Sequence, residues 1–125
     1  MSETAPQTPA GPGPEAALDR DQFDTLKVLG FLYLRLGLAP KAARLFQALA
    51  ALAPQDVQAA LSLAAATLED GRPEEALALL EKPPLAGAAA GAPARLLKAR
   101  TLWRLGRREE TYKLMDQHLA AGDQA

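Results

Sequence analysis

The chain has 125 residues, a formal net charge of −1 and no cysteine. A nearly neutral chain is not a general nucleic-acid binder, because phosphate contacts require a basic excess. The absence of cysteine excludes disulfide bonds and thiolate chemistry. Alanine and leucine dominate, isoleucine is absent and Val28 and Val57 are the only valines, so the composition favours helices over sheet. We therefore expect a single all-α domain.

The first 18 residues are rich in proline and glycine, which disfavour regular structure. They are predicted to form a disordered tail ahead of a helical domain over 19–125. The N-terminus lacks a charged start followed by an apolar run, so it does not resemble a secretion signal. No segment is apolar for the roughly 18 residues that a membrane span needs. These features predict a cytoplasmic protein that is not inserted in a membrane.

Six helices are predicted from the apolar periodicity and its interruptions. The first begins near Asp19 and presents one apolar face, formed by Leu26, Leu29, Tyr33 and Leu36. Glycine is common just past a helix end, and three glycines are expected to end the odd-numbered helices: Gly37, Gly71 and Gly106.

Prolines are expected to bound the even-numbered helices. Pro40 and Pro73 open the second and fourth helices, where a missing N–H group is tolerated. Pro83 and Pro84 end the fourth helix early, and residues 85–92 are interpreted as a flexible loop. The fifth helix is predicted to start near Pro93.

The three glycines are separated by 34 and then 35 residues. This period, with two helices per unit, is typical of the tetratricopeptide repeat. The sequence thus predicts an all-α fold of three degenerate tetratricopeptide-like helical hairpins in a right-handed superhelical stack. The units are about 23–56, 57–90 and 92–125. An ordinary antiparallel helical bundle with chance regularity is the alternative.

Close packing within the first unit needs small residues where the helices cross and large residues beside them. Gly30 and Ala42 are the predicted pair of close approach. Tyr33 and Phe46 are the predicted fillers. In the third unit the small position on the second helix is Thr111, a weaker match to the repeat.

In repeats of this kind, the first helix of each hairpin lines a concave groove. Its groove-facing positions predict a partner-binding set: Lys27, Phe31, Leu34, Arg35, Leu61, Leu68, Leu96, Arg100, Trp103 and Arg104. Trp103 is the only tryptophan and follows the packing residue Leu102, which favours a place in the groove. The apolar members would form a stripe with basic edges. The alternative is that some of these leucines are core residues.

Seven basic residues lie between positions 95 and 113. A solvated face, a rim for an acidic partner and a nucleic-acid contact are the three interpretations. The chain has no asparagine, so the carboxylate clamp of some tetratricopeptide domains is not expected. His118 is the only histidine and has no evident partner. With no catalytic grouping, phosphate loop or metal-ligand spacing, we expect neither an enzyme nor a cofactor.

The stretches 24–56 and 61–81 resemble the small tetratricopeptide-repeat chaperones of bacterial type III secretion systems. Within that group the chain is most similar to the Y-type (YscY) family, well over 22–82 and loosely over 93–120. The helix-packing residues carry the resemblance: Leu29, Gly30, Tyr33, Gly37, Ala42, Leu45 and Pro54.

The resemblance implies a bacterial cytoplasmic chaperone that holds an exported component before secretion. The implied partner is the small X-type export protein, which would lay an amphipathic helix in the groove. Needle-subunit and translocator chaperones share the motif and stay open as alternatives. A scaffold that self-associates through its repeat ends is the alternative from another class. We expect weak self-association of the unliganded chain and marginal stability without a partner.

Overall fold

The computed structural model describes residues 18–87 and 90–124, with side chains as far as Ala120. The predicted tail over 1–18 therefore lies outside the described residues, apart from Leu18. The described residues form six helices and no strand, which confirms the all-α prediction. The helices are α1 (Arg20–Arg35), α2 (Ala39–Leu52), α3 (Val57–Glu69), α4 (Pro73–Leu80), α5 (Gly91–Arg104) and α6 (Arg108–Gln124).

The three predicted glycines do end the odd-numbered helices, each with the same geometry. Gly37, Gly71 and Gly106 have φ values of 78°, 78° and 76°. In each turn the N–H of the next residue reaches back five residues to a carbonyl oxygen. The bonds are Leu38 to Tyr33 (2.8 Å), Arg72 to Thr67 (3.2 Å) and Arg107 to Leu102 (2.9 Å). This is the Schellman motif, and its threefold recurrence gives three similar helical hairpins.

Side chains define where two of the helices begin. Asp19 and Gln22 form a capping box at α1, in which Gln22 N–H donates to Asp19 Oδ1 at 2.8 Å. Asp56 caps α3 by accepting from the N–H of Ala59 at 2.9 Å. The second helix begins at Ala39, one residue before the predicted Pro40, and the proline stands in its first turn.

The hairpins α1–α2, α3–α4 and α5–α6 stack in chain order, with α3 at the centre. α3 contacts α2, α4 and α5, whereas α1 packs mainly on α2. One core cluster joins the first hairpin to α3 and is centred on Phe46 and Leu49. A second cluster joins α3 and α4 to α5 and is centred on Leu68 and Leu80.

Gly30 and Phe46 make the close approach in the first hairpin. A Cβ atom on Gly30 would lie only 2.7 and 2.9 Å from two carbons of the Phe46 ring. Phe46 is fully buried, as is Ala42. The predicted pairing of Gly30 with Ala42 is therefore corrected, because the glycine makes room for an aromatic ring instead. Tyr33 is only half-buried.

Leu36 does not belong to the packed face of α1. The buried residues of this helix are Phe23, Lys27 and Gly30. Leu36 lies six residues beyond Gly30, which places it about 120° around the helix axis. It is exposed to solvent, so the predicted apolar face of α1 is corrected at this residue.

The fourth helix ends at Leu80, before Pro83 and Pro84, as predicted. Leu85 then turns back and is buried in the cluster shared by α3, α4 and α5. Its N–H donates to the carbonyl of Lys82 at 2.9 Å, which closes this turn. The segment interpreted as a flexible loop thus supplies a core side chain in place of the missing helical turn.

Candidate protein-binding surface

Two long-range polar contacts bring the accessible faces of α1, α3 and α5 side by side. Lys27 Nζ on α1 donates to Gln58 Oε1 on α3 at 2.7 Å. Arg100 on α5 forms an ion pair with Glu69 on α3. We call the sides of α1, α3 and α5 that carry these contacts the odd-helix surface, made of Phe31, Leu34, Arg35, Leu61, Ala65, Glu69, Leu96, Arg100, Trp103 and Arg104.

Large apolar side chains remain accessible on this surface. Phe31, Leu96 and Trp103 are 37%, 44% and 50% exposed. Leu34 and Leu61 are half-buried, since each also packs against a core cluster. Five of the six apolar side chains of the predicted groove set are therefore at least partly accessible.

Leu68 is the sixth, and its assignment is corrected. It is fully buried in the second core cluster, together with Ala64, Ala76 and Leu80. Because α3 is contacted by α2, α4 and α5, more of its circumference is buried than periodicity alone suggests. A fully buried side chain cannot line an open groove, so Leu68 is a core residue.

Lys27 is also corrected, from a groove edge to a buried cation that joins two hairpins. Its Nζ lies 3.6 Å from Asp24 Oδ1, 3.9 Å from Asp56 Oδ2 and 5.2 Å from the centroid of the Phe23 ring. With the bond to Gln58, these contacts satisfy an ammonium group that burial would otherwise destabilise. Lys27 therefore positions α1 against α3.

The two aromatic side chains of the surface are each held at one edge. The ring centroids of Phe31 and Phe46 are 5.3 Å apart, and those of Trp103 and Tyr112 are 6.3 Å apart. The guanidinium carbon of Arg108 lies 5.2 Å from the Trp103 centroid. Aromatic contacts of this kind restrict the rings without covering them, so they are partly ordered before a partner arrives.

Acidic residues neutralise part of the basic stretch over 95–113. Arg107 donates two hydrogen bonds to Glu110, at 2.5 and 2.8 Å. These bonds hold the pKa of Glu110 below its ordinary value and raise the pKa of Arg107. Lys98 lies 3.9 Å from Glu81, and Arg100 pairs with Glu69. Among the described residues, Arg35 and Arg104 form no ion pair and leave positive charge at the edges of the odd-helix surface.

His118 has a neighbour that the sequence did not suggest. Arg95 Nε donates to His118 Nδ1 at 3.3 Å, between α5 and α6. In the part of the chain that the structure describes, no three His, Asp or Glu side chains are grouped as metal ligands. None of the described helices is both long enough and apolar enough to cross a bilayer.

Sequence reasoning missed a row of apolar side chains on the side of α1 that faces away from its buried residues. Val28, Leu32 and Leu36 are 65%, 48% and 64% exposed. Their spacing of four residues was a usable signal, because such residues share one helix face. We call this row the outer face of α1.

The fold and these surfaces define the class of the protein: an all-α stack of helical hairpins with an accessible face of apolar, aromatic and basic side chains. No family model matches the chain, and no curated protein is significantly similar to it in sequence.

Proposed function

We propose that this chain is a protein-binding chaperone that holds an amphipathic helix of its partner against the odd-helix surface. The observation that carries the proposal is the exposure of Phe31, Leu96 and Trp103 on one face, from two different helices. Accessible Trp and Arg side chains are enriched at the energetic centres of protein interfaces. A helix whose apolar face covers these side chains would bind by the common helix-in-groove mode.

The dimensions of the surface indicate the partner segment. Packed helices lie about 8–10 Å apart, so the distance from α1 across α3 to α5 is about 20 Å. An α-helix of about 13 residues spans that distance at 1.5 Å per residue. Arg35 and Arg104 stand beside the apolar side chains and favour acidic residues on the polar face of the partner helix.

The resemblance of residues 22–82 to type III secretion chaperones supports a particular partner. On this proposal the chain is a bacterial cytoplasmic chaperone, without catalytic activity, for the small X-type export protein. Covering an amphipathic helix before export would prevent its premature association. A needle subunit or a translocator is the alternative partner, since their chaperones share the same packing motif.

The test is co-expression of the chain with each of these three components from its own secretion system. We expect the X-type protein to co-purify and to shift the emission of Trp103, the only tryptophan, to shorter wavelength as the ring is covered. Leu96→Asp and Trp103→Asp should each weaken binding by at least about tenfold, as hot-spot truncations do.

The matched control is Leu119→Asp on α6, which is also exposed but lies outside the odd-helix surface. It should leave the affinity unchanged. All three variants should retain the helical circular dichroism signal. Unchanged affinity of both Leu96→Asp and Trp103→Asp would exclude this surface, and co-purification of a different component would replace the X-type assignment.

A further inference from the structure

The outer face of α1 is a second apolar surface, on the opposite side from the core. Val28, Leu32 and Leu36 lie four residues apart and turn away from the buried Gly30. Since α1 packs chiefly on α2 through its buried side, no described helix covers this row. Exposed apolar rows on a terminal repeat are a liability for solubility unless another surface covers them.

A shallow depression of about 360 Å³ lies on α1, near its N-terminus. Its lining includes Leu18, which precedes the helix, and Asp21, Gln22 and Thr25 from the first two turns of α1. A concave surface of this kind on one helix can accept a side chain from a facing helix, as a hole accepts a knob. The lining is mainly apolar, so the hole suits an aliphatic knob.

The C-terminal end of the same helix carries the complementary knob. Consider two copies of α1 packed antiparallel, with the twofold axis beside Val28 and Leu29. The hole and Leu36 then lie on opposite sides of the axis, each about 11 Å from it at 1.5 Å per residue. Both also lie at nearly the same angle around the helix. Leu36 of each copy therefore faces the hole of the other, and Leu32 faces Thr25 of the second copy.

The charges on this face agree with the same pairing. Asp21 and Arg35 lie at similar distances from the axis, about 11 and about 10 Å at 1.5 Å per residue, so the twofold operation brings Asp21 of each copy close to Arg35 of the other. Both are exposed, and neither forms an ion pair within the described residues. An isologous interface repeats each contact, which gives two such pairs per dimer.

We propose that the chain forms an antiparallel homodimer through the outer face of α1, with Leu36 as the knob and the Leu18–Thr25 depression as the hole. The interface lies on a different side of α1 from Phe31 and Leu34. The dimer therefore does not depend on the proposed function, and it leaves the apolar side chains of the odd-helix surface accessible while engaging Arg35 at the edge of that surface.

The test is sedimentation velocity of the purified full chain over a concentration series. The wild-type chain should change from monomer to dimer as its concentration rises. Asp21→Arg and Arg35→Asp should each weaken the dimer by about tenfold, because each replaces two attractions with two repulsions. The double variant Asp21→Arg/Arg35→Asp should regain wild-type dimerisation.

Mixing the two single variants is the sharpest step, because it depends on the predicted geometry. A heterodimer of Asp21→Arg with Arg35→Asp restores both opposite-charge pairs, so the mixture should dimerise at concentrations where each variant alone is monomeric. Leu36→Asp should abolish dimerisation. Asp116→Arg, on the exposed part of α6, is the matched control and should have no effect.

Each variant should keep the circular dichroism of the wild-type chain, because the substituted side chains are exposed. A chain that stays monomeric throughout the series overturns the proposal. A dimer that tolerates Leu36→Asp, or single variants that do not dimerise when mixed, also overturns it, since the association would then use another surface.

Discussion

The first and second hairpins have similar turns but different cores. In the first, α2 has 14 residues and buries the whole ring of Phe46 against Gly30. In the second, α4 has only 8 residues and the hairpin contains no aromatic side chain. Leu85, from beyond α4, fills the space that a longer helix would occupy.

This difference shows two ways to complete a hairpin of the same repeat. The first is specified mainly by its own large and small residues, whose shapes match across the helix crossing. The first core takes only the small side chains of Ala59 and Ala66 from α3 as buried members, whereas the second takes Leu85 as well as Ala94 and Leu97 of α5. We therefore expect the first hairpin to respond to changes within it, and the second to respond to changes in the segment that follows it.

The largest expected effect is that of Phe46→Ala. Removing a fully buried aromatic side chain costs about 3–5 kcal/mol, from lost burial and the cavity that remains. The free energy of unfolding, from urea titration followed by circular dichroism, measures this loss. Phe31→Ala, at the exposed ring beside it, is the control and should cost much less. Equal losses would mean that the first hairpin does not depend on the Gly30–Phe46 contact.

Leu85→Ala tests the second hairpin from outside its two helices. We expect a loss of about 2–4 kcal/mol in the free energy of unfolding, as for other buried leucines. The adjacent Ala86 is exposed, so Ala86→Ser should change this free energy by less than about 0.5 kcal/mol. A negligible effect of Leu85→Ala would show that residues 81–87 are only a connection.

Gly30→Ala is expected to lower stability by about 1–3 kcal/mol through overpacking. At an exposed helical glycine the same change would instead raise stability by about 1 kcal/mol. The sign of the stability change therefore distinguishes a close approach from an exposed site. Combining Gly30→Ala with Phe46→Leu should recover part of the loss, because the smaller side chain leaves room for the Cβ atom. A double-mutant cycle measures this coupling. Strictly additive effects would contradict the close approach.

The smallest expected effect concerns Glu110 in the third hairpin. Hydrogen bonds from Arg107 lower its pKa in the folded protein. A lowered pKa stabilises the folded protein at pH values above the pKa of the unfolded state. This contribution is lost as the pH falls through the pKa of the folded state. NMR titration should show the low pKa, and Arg107→Gln should return it towards normal. A pKa unchanged by Arg107→Gln would assign the shift to another cause.

Much of the odd-helix surface could be predicted on α5, and less of it on α1 and α3. On α5, Leu96, Arg100 and Trp103 are exposed as expected, because one side of this helix packs and the other does not. On α3 the same reasoning failed for Leu68, since three helices surround it. On α1 it failed for Lys27, whose carboxylate and amide partners include residues of the next hairpin.

Local chemistry determined the helix boundaries and the repeat. The start of α1 near Asp19, the three glycines and the prolines act on neighbouring backbone, so sequence alone was sufficient to predict them, whereas the Asp56 cap of α3 emerged only from the structure. The tertiary structure decided which apolar side chains became core. That choice depends on how many helices surround a residue, as for Leu68, and on whether a distant segment such as Leu85 fills a gap. Periodicity marks the apolar side of a helix but not the number of neighbours that cover it.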